Sequence, residues 1–261
     1  MKYDIIADNI IQWLKAYSKK SKTDGFVIGI SGGIDSALTS TLCASTGLPT
    51  ICIDMPIMQN KYEVNRASSH IKWLQKKFNN VVHKSIDLND VFNSFKNTVE
   101  QKNDKNNFLS LANSRSRLRM TTLYYFAGIN RCLVAGTGNK VEDFGIGFYT
   151  KYGDGGVDIR PIADLNKTDV FEISKILGVI DEIIKAKPTD GLWDDGRTDE
   201  DQIGATYKEL EWAMQQKDLN KKLIDFKGRE KEVFQILKKF NKQNLHKMNP
   251  IPIYKVPEIL K

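Results

Sequence analysis

Gly25-Phe26-Val27-Ile28-Gly29-Ile30-Ser31-Gly32-Gly33-Ile34-Asp35-Ser36 decides the fold. The run from Gly25 to Ile30 is short, apolar and β-branched, which predicts a buried strand. It breaks into glycines and polar residues and continues as a helix expected from about Ser36 to Thr46. Glycines let the backbone turn tightly and bring its amides close to a ligand, while the following helix N-terminus favours an anion. A phosphate cradle is therefore expected over Gly29, Ile30, Ser31, Gly32, Gly33, Ile34, Asp35 and Ser36, with the hydroxyls of Ser31 and Ser36 as further donors. The segment has neither the lysine of a GxxxxGK[ST] loop nor the spacing of GxGxxG. Asp35, an anion among phosphates, makes chemical sense with a Mg²⁺ ion between them.

The alternation continues outward from this unit. Strands are predicted at Thr50–Asp54, Val81–Ile86 and Arg131–Ala135, and helices over 62–78 and between 88 and 129. Helical spacing of Ile5, Ile6, Ile10, Trp13, Leu14 and Tyr17 predicts an amphipathic first helix. Strand–helix alternation of this length implies a doubly wound α/β fold, a parallel sheet flanked by helices, with ligands beyond the carboxyl ends of the strands. Further on, a Gly- and Asp-rich stretch runs to Gly156, a helix is predicted near Thr168–Leu177, and a polar stretch covers Pro188–Gln202. Helices over 203–216 and 227–245 precede a Pro-bearing tail. The expected domain organisation is one domain over 1–261 with a helical C-terminal part from about 203. Loops at 79–80, 140–150 and 189–202 are the expected lids over a site.

Composition excludes several classes. The 261 residues are 41% hydrophobic and 27% charged, as in a globular domain. No run approaches the ~18 apolar residues of a membrane span, and the charged start is unlike a signal peptide, so a cytoplasmic protein without a membrane partner is expected. The three cysteines, Cys43, Cys52 and Cys132, are far apart in apolar segments and read as core thiols. The formal charge of +7 is spread along helices such as the one bearing Lys72, Lys76 and Lys77, which suits a solvated basic surface and small polyanions better than nucleic acid.

The strand-SGGxDS-helix pattern resembles the pyrophosphate loop of N-type ATP pyrophosphatases, with the adenine nucleotide alpha hydrolase-like fold. Within that superfamily the chain is similar to ammonia-dependent NAD synthetases. Asn113 to Met120 resembles their NxxARxRM helix, Gly136 to Glu142 their GTxNxxE segment, Thr150 to Asp158 their TKYGDGG(x)D signature, and Lys187 to Trp193 their KxPTADLW segment. The resemblance implies that Thr137, Lys167 and Thr189 bind ATP together with the loop, and that Asp35 and Glu142 hold Mg²⁺. It further implies that Arg117, Lys151, Asp158, His246 and Lys247 hold deamido-NAD. No side chain would act as a nucleophile; Lys167, Ser31 and Ser36 would stabilise charge. The implied reaction is ATP-dependent amidation of deamido-NAD with ammonia, to NAD, AMP and pyrophosphate, by a homodimer. The alternatives are a tRNA-modifying ATP pyrophosphatase, against which stand the absence of a CxxC pair and the TKYGDGG segment, and a non-catalytic nucleotide-binding protein.

Overall fold

The computed structural model describes residues 1–59, 61–99, 104–189 and 198–261. Four strands, β1 (Gly25–Gly29), β2 (Thr50–Asp54), β3 (Val81–Ser85) and β4 (Cys132–Val134), form a parallel sheet in the order β3-β2-β1-β4. Successive residues of each strand feed opposite layers, as the pleat requires. Phe26, Ile28, Cys52 and Leu133 face one core, with Ala7, Ile11 and Leu14 of α1 (Tyr3–Ser21), Leu38 and Leu42 of α2 (Ile34–Ser45), Ile71 and Leu74 of α3 (Lys61–Lys77), and Val170 and Ile173 of α6 (Lys167–Ile176). Val27, Ile51, Ile53 and Val134 face the other, with Phe92 of α4 (Asn89–Thr98) and Ala127 of α5 (Lys105–Asn130). Both faces are covered at β1, β2 and β4, which are buried along nearly their whole length, whereas the edge strand β3 is buried only at Val81.

Connections through α2 and α3 lead from β1 across to β3, whereas the α4–α5 connection returns to β4 on the other side of β1. The direction of winding reverses between β1 and β4, and the loops leaving their carboxyl ends diverge there. Past β4 the chain makes a parallel bridge between Ala135 and Ile159 and then builds a second core. A π-helical turn, Val141–Ile146, supplies Val141 and Ile146 to it; α9 (Tyr207–Asp218) supplies Tyr207 and Leu210, and α10 (Gly228–Met248) supplies Val233, Phe234 and Leu237.

Several boundaries differ from the sequence expectation for local reasons. The helix after the loop starts at Ile34, ahead of Ser36. The expected helix over 203–216 starts only at Tyr207, as α9, and a short helix not expected in the polar stretch, α8 (Asp199–Ile203), stops before it at Gly204, whose φ is 84°. Thr198 with Asp201, and Thr206 with Glu209, form capping boxes at the two starts. A further short helix, α7 (Asp181–Ile184), was not expected. Of the expected lid loops, 79–80 is tied down by the Asn80 amide, which donates to the carbonyls of Ala44 and Leu48. The 140–150 loop carries the π turn with Val141, Asp143, Gly145 and Ile146 buried. Residues 190–197 of the 189–202 stretch, including Asp190 to Trp193 of the KxPTADLW-like segment, lie outside the described residues. All three cysteines are free and buried, as expected. Among the described residues no helix is long and apolar enough to cross a membrane.

Candidate functional site

The loop after β1 is held by its own hydroxyls. Ser31 and Ser36 share a hydrogen bond of 3.1 Å, the Gly33 amide donates to Ser31 Oγ at 3.2 Å, and Ser36 Oγ donates to the Gly33 carbonyl. Gly32 turns the chain at φ 84°, and a Cβ there would lie 2.6 Å from the Glu63 carbonyl, so only glycine fits. No side chain caps the start of α2, which leaves its first amides directed at whatever lies beyond the sheet.

Asp35 sits in the first turn of α2, and its two oxygens lead to two other elements. Oδ1 accepts from the amide of the fully buried Asn139 at 3.0 Å, and Oδ2 accepts from Lys167 Nζ at 2.5 Å. The same Nζ donates to Glu142 Oε1 at 2.9 Å. Asn139 Oδ1 in turn accepts from the amides of Val141 and Glu142, starting the π turn that carries Glu142. Lys167 opens α6, where Asn166 and Asp169 form a capping box. Burial alone would lower the Lys167 ammonium; Asp35 and Glu142 more than reverse this and hold it above its usual range. Burial pushes the Asp35 carboxyl up against the pull of Lys167, whereas for Glu142 burial is outweighed by Lys167 and the Tyr207 hydroxyl, which hold it low.

Two carboxylate oxygens therefore converge on one cation-sized position, now filled by an ammonium. Among the described residues no group of three or more His, Cys, Asp or Glu side chains is arranged to hold a metal ion by itself. A divalent ion at this position would take two carboxylates and draw its other ligands from phosphate and water, the usual habit of Mg²⁺.

The second set of predicted residues is assembled differently. Arg117 on α5 donates to the Lys151 carbonyl at 3.3 Å, Lys151 Nζ donates to the His246 carbonyl at 2.9 Å, and Lys247 Nζ donates to the carbonyls of Gly147 and Tyr149 at 2.8 Å each. Arg117, Lys151, His246 and Lys247 thus form one chain of contacts, with the exposed His246 ring making none of them. Asp158 stands apart: Oδ1 accepts from the Tyr124 hydroxyl at 3.0 Å and Oδ2 from the Val134 amide at 2.8 Å, so it also closes the end of β4. Thr137 lies just past β4, and Thr189 is exposed at the last described position before 190. Arg119, on a different face of α5 from Arg117, is half-buried against the Met55 carbonyl at 3.0 Å and docks α5 onto the chain leaving β2; burial and Arg115 lower its guanidinium to about 10.

A family model described as NAD synthase matches residues 6–251. The chain belongs to the NAD synthase family. It is 38% identical over 235 residues to the NH(3)-dependent NAD(+) synthetase of Finegoldia magna, covering 89% of this chain and 93% of that one. Among solved structures, the NMN synthetase of Francisella tularensis superposes with a TM-score of 0.84 at 29% identity, covering 99% of both chains. The NH3-dependent NAD synthetase of Campylobacter jejuni, in complex with nitrate, superposes with a TM-score of 0.79 at 25% identity, covering 98% of this chain and 100% of that one.

In this member of the family, residues to which the sequence assigned no role complete the arrangement. Asn139 joins Asp35 to the π turn. Asp143 lies behind it, paired with Arg160 at 3.3 Å and pushed up to about 7 by burial against the pull of Arg160. Tyr207 donates to Glu142 Oε1 at 2.6 Å and lies 3.1 Å from Asp199 Oδ2. A Cβ on Gly138 would lie 2.2 Å from Asp143 Oδ1, so the GTGN run is packed down on this pair. Thr198-x-x-Asp201 was the one readable signal for the segment that brings Asp199 in.

Proposed function

We propose that this chain amidates the nicotinate carboxylate of deamido-NAD with ammonia, cleaving ATP to AMP and pyrophosphate. The observation that carries the reading is Lys167, a buried ammonium at the helix start facing a glycine-rich loop, flanked by Asp35 and Glu142. A carboxylate resists attack by ammonia because it is anionic and would have to expel oxide. Adenylation removes both obstacles. A carboxylate oxygen attacks the α-phosphorus, the bond to the bridging β-oxygen breaks, and pyrophosphate departs toward Ser31, Ser36 and the α2 amides. Lys167 meets the charge that grows on it. Ammonia then adds to the acyl carbon, loses a proton to solvent, and AMP leaves with the C–O bonding pair. Asp35 and Glu142 would hold Mg²⁺, which when bound neutralises phosphate charge. No nucleophilic side chain is needed; the rate comes from placement and fixed charge.

Arg117, Lys151 and Lys247 present cations suited to dinucleotide phosphates, with His246 beside them and Asp158 suited to a ribose hydroxyl. Thr137 and Thr189 flank the ATP side. The same reading makes the chain one synthetase domain from end to end, cytoplasmic, and a homodimer. Trp13 and Tyr17 on α1, and Phe108, Leu109, Tyr125 and Ile129 on α5, are exposed apolar groups for a second copy to cover.

The test is amide formation from deamido-NAD, ATP, Mg²⁺ and an ammonium salt, beside Asp35→Ala and a control lacking deamido-NAD. Product in the complete mixture alone, lost in the variant, is expected; none from folded, ATP-binding protein sinks the reading. The likeness to NMN synthetase supports a second reading, with the nicotinate mononucleotide as acceptor. Equal-concentration competition between mononucleotide and dinucleotide decides between them by kcat/KM.

A further inference from the structure

Tyr207 carries a tyrosine's polar end into the most charged interior of the molecule. Its residue is 4% exposed, and its ring packs with Val141, Ile146, Leu210 and Phe234. Thr206 caps the helix start it stands on, and its own amide donates to Glu200 Oε1 at 2.9 Å. The ring lies 4.7 Å from Lys167 Nζ, and the hydroxyl meets Glu142 Oε1 at 2.6 Å. Lys167 and Tyr207 therefore donate to the same carboxylate oxygen from two different helices. A phosphate beside them would attract the ammonium, whereas a neutral hydroxyl embedded in a core would feel no such pull. A phenol is un-ionised near neutral pH, and the 2.6 Å contact places its proton on Glu142.

We propose that Tyr207 is a positioning residue: its hydroxyl donates to Glu142 and fixes that carboxylate for the divalent cation, with Asp199 Oδ2, at the start of α8, 3.1 Å away. The inference rests on the reading of Asp35 and Glu142 as the cation's ligands. Outer partners that orient a ligating carboxylate typically contribute about 10- to 100-fold in metal affinity. Phe at 207 keeps the ring, the core packing and the cation–π contact, and removes only the donor.

The experiment follows Mn²⁺ binding by EPR in the presence of a non-hydrolysable ATP analogue. In Tyr207→Phe the Kd for Mn²⁺ is expected to rise about 10-fold while the KM for deamido-NAD stays put, a split that general loosening of the fold does not produce. In a Glu142→Gln background the same change should add nothing. A folded Tyr207→Phe enzyme with wild-type Mn²⁺ affinity overturns the proposal, as does a full effect persisting with Glu142→Gln. Asp35→Ala separates the two readings: loss of Mn²⁺ there, with no effect of Tyr207→Phe, removes Tyr207 alone, and no effect in either removes the metal site too. If Tyr207→Phe does not fold, 3-fluorotyrosine placed at 207 decides by ¹⁹F NMR. Its resonance is expected to shift when Mg²⁺ joins the analogue complex, and one that does not move refutes the role.

Discussion

Two groups of charges in this molecule are built on opposite terms. Around Lys167, side chains from α2, the π turn, α6 and α9 meet one another directly, and the side-chain exposures are 4% for Lys167 and 16% for each of Asp35 and Glu142. Around Lys151, the cations rest on backbone carbonyls at the surface. Buried ions must be matched when the chain folds, because each unpaired one costs several kcal/mol. Surface cations on neutral carbonyls keep their charge available, so a polyanion can take them at little expense. The first group is matched within the fold; the second is positive charge left available, which is what the proposed substrate site requires.

The largest test of that contrast is Lys167→Met. It leaves two carboxylates facing each other in a low-dielectric space, and should lower stability by about 3–5 kcal/mol in urea titrations and kcat by at least about 10³-fold. A variant as stable as the parent would show that the carboxylates are not truly desolvated.

The contrast sharpens at His70, which is fully buried with Nε2 sharing a hydrogen bond of 2.9 Å with Ser40 Oγ and no charged partner. Where Lys167 is matched and stays charged, burial lowers His70 to about 4, and it stays neutral. The unfolded chain takes up a proton near pH 6.5 and the folded one only near 4, so the His70 contribution is complete above 6.5 and fades between those values as pH falls. The loss should approach ~3 kcal/mol, and His70→Gln should flatten that stretch of the stability–pH curve.

In the surface group, Lys247→Ala should lower kcat/KM for the dinucleotide about 10- to 100-fold with kcat far less affected and the melting temperature little moved. A fall in kcat alone would place Lys247 in the chemistry. Smallest of all is Arg229→Gln. Its bidentate pairing with Glu209, at 2.7 and 2.9 Å, is well formed yet exposed, and its loss should leave the melting temperature within about 2 °C.

What the sequence displayed and what it concealed divide along the same line. Gly25 to Ser36 is a local message: apolar run, glycine turn and helix are adjacent, and each can be read from its neighbours. Asp35 was legible from the chemistry of its own loop, whereas Glu142 and Lys167 were accessible because a family pattern names them, although nothing near Lys167 in sequence reveals two carboxylate partners. Tyr207 gave no signal, since an aromatic at a helical core position looks like packing, and most of its ring is packing; only the last atom does something else. Asn139 and Asp143 sit in a Gly-bearing stretch that reads as a loop, because a π turn has no propensity signature of its own. Those residues are joined by pairings across the fold, which no local window contains.

The strand order has a consequence for the life of the chain before it ever meets substrate. β1 pairs with β2 soon after both are made, but its other edge waits for Cys132–Val134, more than a hundred residues downstream. During synthesis the half-built sheet leaves the ribosome with a bare central edge, open to wrong pairing. Lys167 follows later still, so the glycine loop beside that edge emerges long before the ammonium that completes it. Closing that edge requires pairing across a long sequence separation, which makes it a slow step of folding.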